Sequence, residues 1–297
     1  MQMNTPPRST IRLTRRGRLV LIATGAVVAG AAVAVPLLNL ESPKEKPPKP
    51  PKPATLVIPE GWRASQVYEA VDKALALPAG TTRRALPKAG LKLPNDAEGN
   101  PEGYLFPATY PLEKKATPQT LLSYMVDTAN KRFNGAPTAA GAQRNAMNVY
   151  QAVTIASLVQ AEAATKADMG KVARVVFNRL ERGMPLQMDS TINYALNRFT
   201  LKTTENDTRV DSPYNSYQRM GLPPTPIDNP GEEALRAAVS PTPGDWLYFV
   251  TVKPGDTRFT ASYAEHQRNV AECNRNQQSS KSSKSSKSPK SQSAAAG

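Results

Sequence analysis

A glutamate on the apolar stripe of a predicted helix is the residue in this chain best suited to acid–base chemistry. In the run TIASLVQAE, which ends at Glu162, Ile155, Leu158 and Val159 share one helical face with that glutamate. A carboxylate there must be desolvated or must line a cleft, and desolvation raises its pKa until it can donate a proton near neutral pH. The alternative is that Glu162 ends the helix and turns to solvent.

Three polar segments broken by Pro or Gly follow this glutamate and are suited to a carbohydrate site. They cover residues 186–194, 212–217 and 221–227. Their aromatic rings could cover sugar faces, and their amides and hydroxyls could bond sugar hydroxyls. Capped turns use the same residue types, so each segment has a structural alternative. For Asp189 the alternative is an Asx turn or helix N-cap, and for Asn215 it is a turn in which the side chain bonds its own backbone.

The chain has too few cysteine and histidine residues for a zinc site of the usual type or for a well-supported His-dependent catalytic triad. Cys273 is the single cysteine and His266 the single histidine, so a zinc site of the usual His/Cys type has no partners and a triad would rest on one residue. We expect no metal and no cofactor.

The positive charge is concentrated at the two ends of the chain. The net charge is +14 over 297 residues, but residues 54–276 carry 25 basic and 22 acidic side chains. The basic ends fit attraction to acidic surfaces such as lipid headgroups. No base-reading motif or basic-aromatic platform is present, so we expect no nucleic-acid partner.

Composition divides the chain into six predicted parts. Residues 1–18 are a basic cytoplasmic segment. Residues 19–40 are a charge-free transmembrane helix behind four arginines. A cleaved signal peptide ending near Ala34 is the alternative. Residues 41–53 form a Pro/Lys-rich linker that could reach about 40 Å as polyproline II. A small subdomain (54–110), a catalytic domain (111–276) and a disordered Ser/Lys-rich tail (277–297) follow.

The predicted elements are mixed in order, which favours an α+β fold over a strict βα alternation. Hydrophobic spacing and turn residues predict strands at 55–58 and 103–110, helices at 64–77, from Pro118 behind a Thr117 cap, at 144–164 and at 171–182, a capping box at 229–232, and a hairpin of 246–252 with 258–260.

Several long motifs resemble those of one family. TIASLVQAE, VVFNRLERGMPLQMDSTINYAL, SPYNSYQRMGLPPTPIDNPG, ALRAAVSP and LYFV occur in the order and spacing of the YceG-like endolytic murein transglycosylases. LVIPEGWRASQV and PEGYLFPATY resemble the entry region of that family, which is similar to a LysM module. The resemblance covers about residues 54–272.

The resemblance implies cleavage of the β-1,4 bond between N-acetylmuramic acid and N-acetylglucosamine, leaving a 1,6-anhydro end. Glu162 would protonate the leaving oxygen and then accept the proton of the sugar's own C6 hydroxyl as that hydroxyl attacks the anomeric carbon. A hydrolase normally needs a second carboxylate. The implied glycan-binding candidates are Gln187, Asp189, Tyr214, Asn215 and Tyr217.

The sequence departs from the family pattern at three places. Gln160 stands where such runs often have a first Glu, which leaves Glu162 as the catalytic residue. Met188-Asp-Ser190 replaces a Ser-Asp-Pro tendency, and Thr257 stands where a His often precedes the Phe of the hairpin.

The implied partners are peptidoglycan glycan strands, the cell membrane through residues 19–40, and peptidoglycan synthases, with the catalytic domain outside the cytoplasm. Two alternatives belong to other classes. One is a noncatalytic wall-binding module on a membrane stalk. The other is a pyridoxal-phosphate lyase, whose cofactor lysine would be Lys166 or Lys171.

We predict that residues 19–40 act as an uncleaved anchor, because a charge-free run of spanning length follows four arginines. Carbonate extraction of membranes should leave the full-length protein in the pellet. Release into the supernatant, or a mature N-terminus near Val35, would contradict the anchor.

Overall fold

A buried helix bundle and two small antiparallel sheets make up the part of the chain that the structure describes. This computed structural model describes residues 54–200 and 203–285. The elements, in chain order, are β1 (Thr55–Val57), α1 (Ala64–Ala74), α2 (Thr81–Ala85), β2 (Thr109–Pro111), α3 (Pro118–Phe133), α4 (Ala136–Arg144), α5 (Val149–Glu162), α6 (Lys166–Glu181), α7 (Asp189–Ala195), α8 (Glu232–Val239), β3 (Tyr248–Lys253), β4 (Asp256–Thr260) and α9 (Tyr263–Ser285). The predicted α+β class is confirmed.

The two sheets close different parts of the molecule. β1 pairs with β2 in register Leu56 to Tyr110, with α1 and α2 between them in sequence. β3 pairs with β4 around Gly255, as the hairpin motif predicts, and α9 packs on this pair. Arg258 on β4 donates to both carboxylate oxygens of Glu272 on α9, at 2.7 and 2.9 Å.

Helix α5 is the central element, because it packs against α4, α6, α7 and α8. Its start is fixed by a capping box in which Asn148 Oδ1 accepts from the Gln151 N–H at 2.8 Å and the Gln151 side chain accepts from the Asn148 N–H at 2.9 Å. The residues from Ala152 to Val159 are all buried. A helix buried on every side is held rigidly by its neighbours.

The predicted helix over 144–164 corresponds to α5, which begins five residues later than predicted, at Val149. α4 ends at Arg144 and α5 begins at Val149. Ala146 lies in the left-handed region at φ +54°, which breaks the helical path between them. The apolar period alone did not reveal this break.

One continuous hydrophobic core joins residues on both sides of the predicted boundary at residue 110. Leu56 and Tyr104 belong to the same cluster as Leu122 and Leu158. The Tyr104 ring packs edge-on against Phe133, with centroids 5.4 Å apart. The division into 54–110 and 111–276 stays a prediction.

The predicted capping box at 229–232 is wrong. Gly231 is the N-cap of α8 and no side chain caps the helix. Asn229 is fully buried, and it accepts from the Leu105 N–H at 2.7 Å and donates to the Trp62 carbonyl at 2.8 Å. These bonds join the N-terminal region to the segment before α8. The Asn229 side chain therefore has no free acceptor to cap the N-terminus of α8.

The predictions for the two ends of the chain, residues 1–53 and 277–297, are only partly covered by the described residues. Residues 1–18, 19–40 and 41–53 lie outside the described residues. No helix within 54–200 and 203–285 has the length and apolar character needed to cross a membrane. α9 continues to Ser285, unlike the predicted disorder from residue 277, and Gln277 bonds the Cys273 sulfur one turn earlier at 3.3 Å.

Gly103 offers a direct test of the packing between the N-terminal region and the segment before α8. It has φ +84°, and an added Cβ would lie 2.5 Å from Pro226 Cγ. Gly99 has nearly the same backbone, φ +82°, with no atom within 4 Å of an added Cβ. Both Ala variants share the left-handed strain, so Gly103→Ala should lose about 1–3 kcal/mol more unfolding free energy from overpacking. Urea denaturation measures this difference, and equal losses would show that the contact with Pro226 is not tight.

Candidate active site

Glu162 is the last residue of α5, and its carboxylate is held by the start of α7. Oε1 accepts from the Ser190 hydroxyl at 2.6 Å and from the Ser190 backbone N–H at 3.1 Å. The residue is half-buried. Glu162 ends the helix, as the alternative in the sequence analysis predicted. Its carboxylate is nevertheless held in a cleft and does not turn to solvent.

Burial raises the pKa of the Glu162 carboxyl. The two hydrogen bonds from Ser190 stabilise the carboxylate and oppose this increase, and the nearby negative charge of Asp189 adds to it. Opposing influences of this kind give a group that can both donate and accept a proton. Glu162 therefore has the properties of a general acid that can later act as a base.

Two cavities meet at Glu162. The first has a volume of about 480 Å³, and its lining includes Trp62, Asn193 and Asp228. The second has a volume of about 970 Å³, and its lining includes Arg179, Gln187, Tyr217, Tyr248 and His266. Glu162 and Asp189 line both cavities. The carboxylate thus borders two cavities that could each hold a ligand.

Three of the five glycan-binding candidates lie around this junction. Asp189 accepts a 2.6 Å hydrogen bond from the Tyr217 hydroxyl, and both side chains line the second cavity. Gln187 is exposed there at φ +52°, and its Oε1 accepts from Arg179 at 3.1 Å. Asp189 is the first residue of α7 and Met188 is the N-cap, so the N-cap alternative for Asp189 is wrong.

Asn215 does not reach either cavity. It is fully buried, its Nδ2 donates to the carbonyls of Thr208 at 3.0 Å and Val210 at 2.7 Å, and its Oδ1 accepts from the Tyr217 N–H. Every polar atom of the side chain is engaged with backbone. The contacts favour the structural alternative, in which this amide bonds backbone, over the expectation that it binds glycan.

Tyr214 also lies away from the junction. Its hydroxyl pairs with Thr225 Oγ1 at 2.9 Å, and its ring packs on Tyr194 with centroids 4.8 Å apart. It lines neither of the two cavities. Its contacts, like those of Asn215, support the loop that carries Tyr217.

Arg179 is a site residue that the sequence interpretation missed. The residue is 6% exposed, and its side chain donates to the carbonyls of Pro185 at 3.0 Å, Leu186 at 2.9 Å and Leu247 at 2.7 Å. Burial lowers its pKa. The guanidinium fixes the loop that presents Gln187. The available signal was its spacing, because Arg179 follows Val175 and Val176 by four and three residues on the buried face of α6.

Glu102 is a second buried carboxyl, and burial raises its pKa to about 7. Its Oε1 accepts from the Ala64 N–H at 2.8 Å, and its Oε2 accepts from the Tyr194 hydroxyl at 3.2 Å. It lines neither cavity at Glu162. Internal donors occupy both oxygens, so this carboxyl holds α1 against α7 rather than facing a ligand.

The described residues also bear on the metal and cofactor alternatives. Within 54–200 and 203–285, no group of three or more His, Cys, Asp and Glu is placed to hold a metal ion. Lys166 is exposed, and the Lys171 ammonium lies 5.3 Å from the centre of the Phe259 ring. Neither lysine lines a cavity at Glu162.

Comparison with known proteins identifies the family. The model of the YceG-like family matches residues 32–272. The chain belongs to the YceG-like family. A crystal structure of a yceG-like protein from Listeria monocytogenes is similar, with a TM-score of 0.63 and 31% identity over 73% of this chain and 75% of that one.

Curated relatives of this YceG-like chain carry the name endolytic murein transglycosylase. The protein from Bacillus subtilis strain 168 is 39% identical over 169 residues, 56% of this chain and 46% of its own length. The protein from Streptococcus pneumoniae strain D39 is 34% identical over 252 residues, 76% of this chain and 45% of its own length. The chain thus spans less than half the length of these relatives.

Substitutions on the two neighbours of Glu162 should shift its pKa in opposite directions. Ser190→Ala removes a hydrogen bond to the carboxylate, so the pKa of Glu162 should rise. Asp189→Asn removes a like charge, so the pKa should fall. Carbon-13 NMR titration of the Glu162 carboxyl measures both shifts. The same direction in both variants would contradict this account of the electrostatics.

Proposed function

We propose that this protein is a membrane-anchored endolytic murein transglycosylase, which cleaves the bond between N-acetylmuramic acid and N-acetylglucosamine within nascent strands, leaves a 1,6-anhydro end and so limits strand length. The observation that carries the proposal is the placement of Glu162, a carboxyl with raised pKa at the junction of two cavities. The names of the curated relatives support the same reaction.

One carboxyl is sufficient for this reaction. Glu162 first protonates the glycosidic oxygen as that bond breaks, and its carboxylate then takes the proton of the C6 hydroxyl as the C6 oxygen bonds to the anomeric carbon. The proton returns to the enzyme, and no water is consumed. The hydrogen bonds from Ser190 support the carboxylate needed in the second step.

Cleavage within a strand requires room for sugars on both sides of the broken bond. A single closed pocket would favour removal of terminal units, whereas here Glu162 and Asp189 line two cavities. We assign glycan contacts to Gln187, Asp189 and Tyr217. Tyr214 and Asn215 are then positioning residues for the Tyr217 loop.

The remaining parts of the proposal concern location and partners. The antiparallel pairing of β1 with β2 around two helices supports a LysM-like subdomain over 54–110. Residues 19–40 would anchor the chain with the catalytic domain outside the cytoplasm, close to peptidoglycan synthases and their newly made strands.

Hydrolysis is the second candidate function, because Asp189 places another carboxylate beside Glu162. A hydrolase uses such a group as nucleophile or as base for water. Asp189 Oδ1 already accepts a hydrogen bond from Tyr217, which favours a binding role. The product distinguishes the two reactions, since hydrolysis leaves a reducing end in place of the anhydro ring.

Glu162→Gln should lower the rate of strand cleavage about 10² to 10⁴-fold, because Gln keeps the shape and loses the transferable proton. Mass spectrometry of products from nascent glycan reports the rate, the bond and the product end. Asp72→Asn is the matched control, because this buried carboxylate accepts from the Thr82 N–H and hydroxyl and lines neither cavity, and it should keep its activity per folded molecule.

Two results would contradict the proposal. Activity above about a third of wild type in Glu162→Gln would place the acid elsewhere, since loss of an acid–base group costs far more. Intact strands with the wild-type protein would favour the noncatalytic wall-binding alternative.

A further inference from the structure

Two residues that line the first cavity each have a buried polar atom with no partner among residues 54–200 and 203–285. These atoms are Asp228 Oδ1 and Asn193 Oδ1. The two residues are 4% and 3% exposed, and both line the cavity beside Glu162. Buried polar groups are nearly always hydrogen-bonded, and one left alone costs stability. Two such atoms on residues of one cavity indicate that a ligand supplies the missing hydrogen-bond partners.

The surroundings of Asp228 favour its neutral, proton-bearing form. Burial raises the pKa of its carboxyl well above the ordinary value, the charge of Glu102 adds to this increase, and Arg63 opposes it. Arg63 is committed elsewhere, because it donates to the Arg198 carbonyl at 2.9 Å and lies over the Phe199 ring. Asp228 therefore presents a hydroxyl donor.

Asn193 presents the complementary group. Its Nδ2 donates to Thr203 Oγ1 at 3.3 Å, which leaves the carbonyl Oδ1 as the open acceptor. Arg63 also donates to the backbone carbonyl of Asn193, at 3.4 Å, so both residues are neighbours of the same guanidinium. One open donor and one open acceptor match the C=O and N–H of a secondary amide.

We propose that Asp228 and Asn193 form a subsite for the N-acetyl group of a sugar, in which Asp228 donates to the acetyl carbonyl and Asn193 accepts from the amide N–H. The inference rests on the proposed glycan function and names the part of the sugar that the first cavity recognises. The half-buried Trp62 in the same lining offers an apolar surface for the acetyl methyl group.

Calorimetry in the Glu162→Gln background tests the subsite without turnover. The probes are a β-1,4-linked N-acetylglucosamine oligosaccharide and its de-N-acetylated counterpart. Asp228→Ala should weaken binding of the acetylated probe about tenfold or more, since the carbonyl loses its donor, with little effect on the other probe. Asp228→Asn keeps a donor and should retain most of the affinity.

Thermal stability provides a second readout. Asp228→Ala should leave the melting temperature unchanged or higher, because it removes an unpaired buried group. Asp72 is the control. It is equally buried at 4% and its Oδ2 also has no partner among the described residues, but its Oδ1 accepts from the Thr82 N–H at 2.8 Å and hydroxyl at 2.6 Å, and these two bonds would be lost. Asp72→Ala should lower the melting temperature and leave binding of the probe unchanged.

Three outcomes would overturn the inference. The first is unchanged affinity in Asp228→Ala. The second is an equal loss for both probes, which would indicate that Asp228 contacts a group common to both sugars, such as a hydroxyl, rather than the amide. The third is no measurable binding of the acetylated probe to the starting protein. Strand cleavage by the wild type is measured in parallel. Cleavage that persists alongside any of these outcomes would leave the proposed reaction standing without this subsite.

Discussion

The contact between Glu162 and Ser190 is the constraint on which the rest of the site depends. A carboxyl that must give and then take a proton cannot be fully solvated, where its pKa is too low, or sealed in apolar surroundings, where it stays protonated. Ser190 supplies two donors from the start of α7, and the two cavities that it borders leave the group half-buried. Both helices must be fixed for this balance to hold.

The buried bundle meets that requirement. α5 is capped at Asn148, buried through its centre, and tied near its end where Gln160 accepts from the Gly231 N–H at 3.0 Å. The neutral amide at position 160 is thus used within the fold, which agrees with Glu162 being the reactive carboxyl. Unpartnered polar atoms occur in the cavity beside it, as expected where a protein gives up stability for a ligand.

The sequence predicted the structural features that depend on local residue patterns. The period of α5, the Thr117 cap of α3 and the turn at Gly255 are encoded within a few residues. Glu162 became the candidate acid because a carboxylate interrupts an apolar stripe. Local sequence patterns could not assign residues whose partners are distant in sequence.

Asn215, Asn229 and Asp228 show why. The composition around Asn215 suits a sugar site as well as a turn, and only the positions of the Thr208 and Val210 carbonyls decide between them. Asn229 bonds residues more than a hundred positions away, at Leu105 and Trp62. The sequence around Asp228 is typical of a loop, which does not predict burial. Its burial near Glu102 follows from the tertiary fold.

The central claim is that a glycan strand runs through both cavities with its reacting bond at Glu162. A crystal structure of the Glu162→Gln variant with an uncleaved strand tests it most directly. The account predicts sugar rings in both cavities and the bridging oxygen within hydrogen-bond distance of the side chain at position 162. A strand confined to one cavity, or bound away from that side chain, would contradict it.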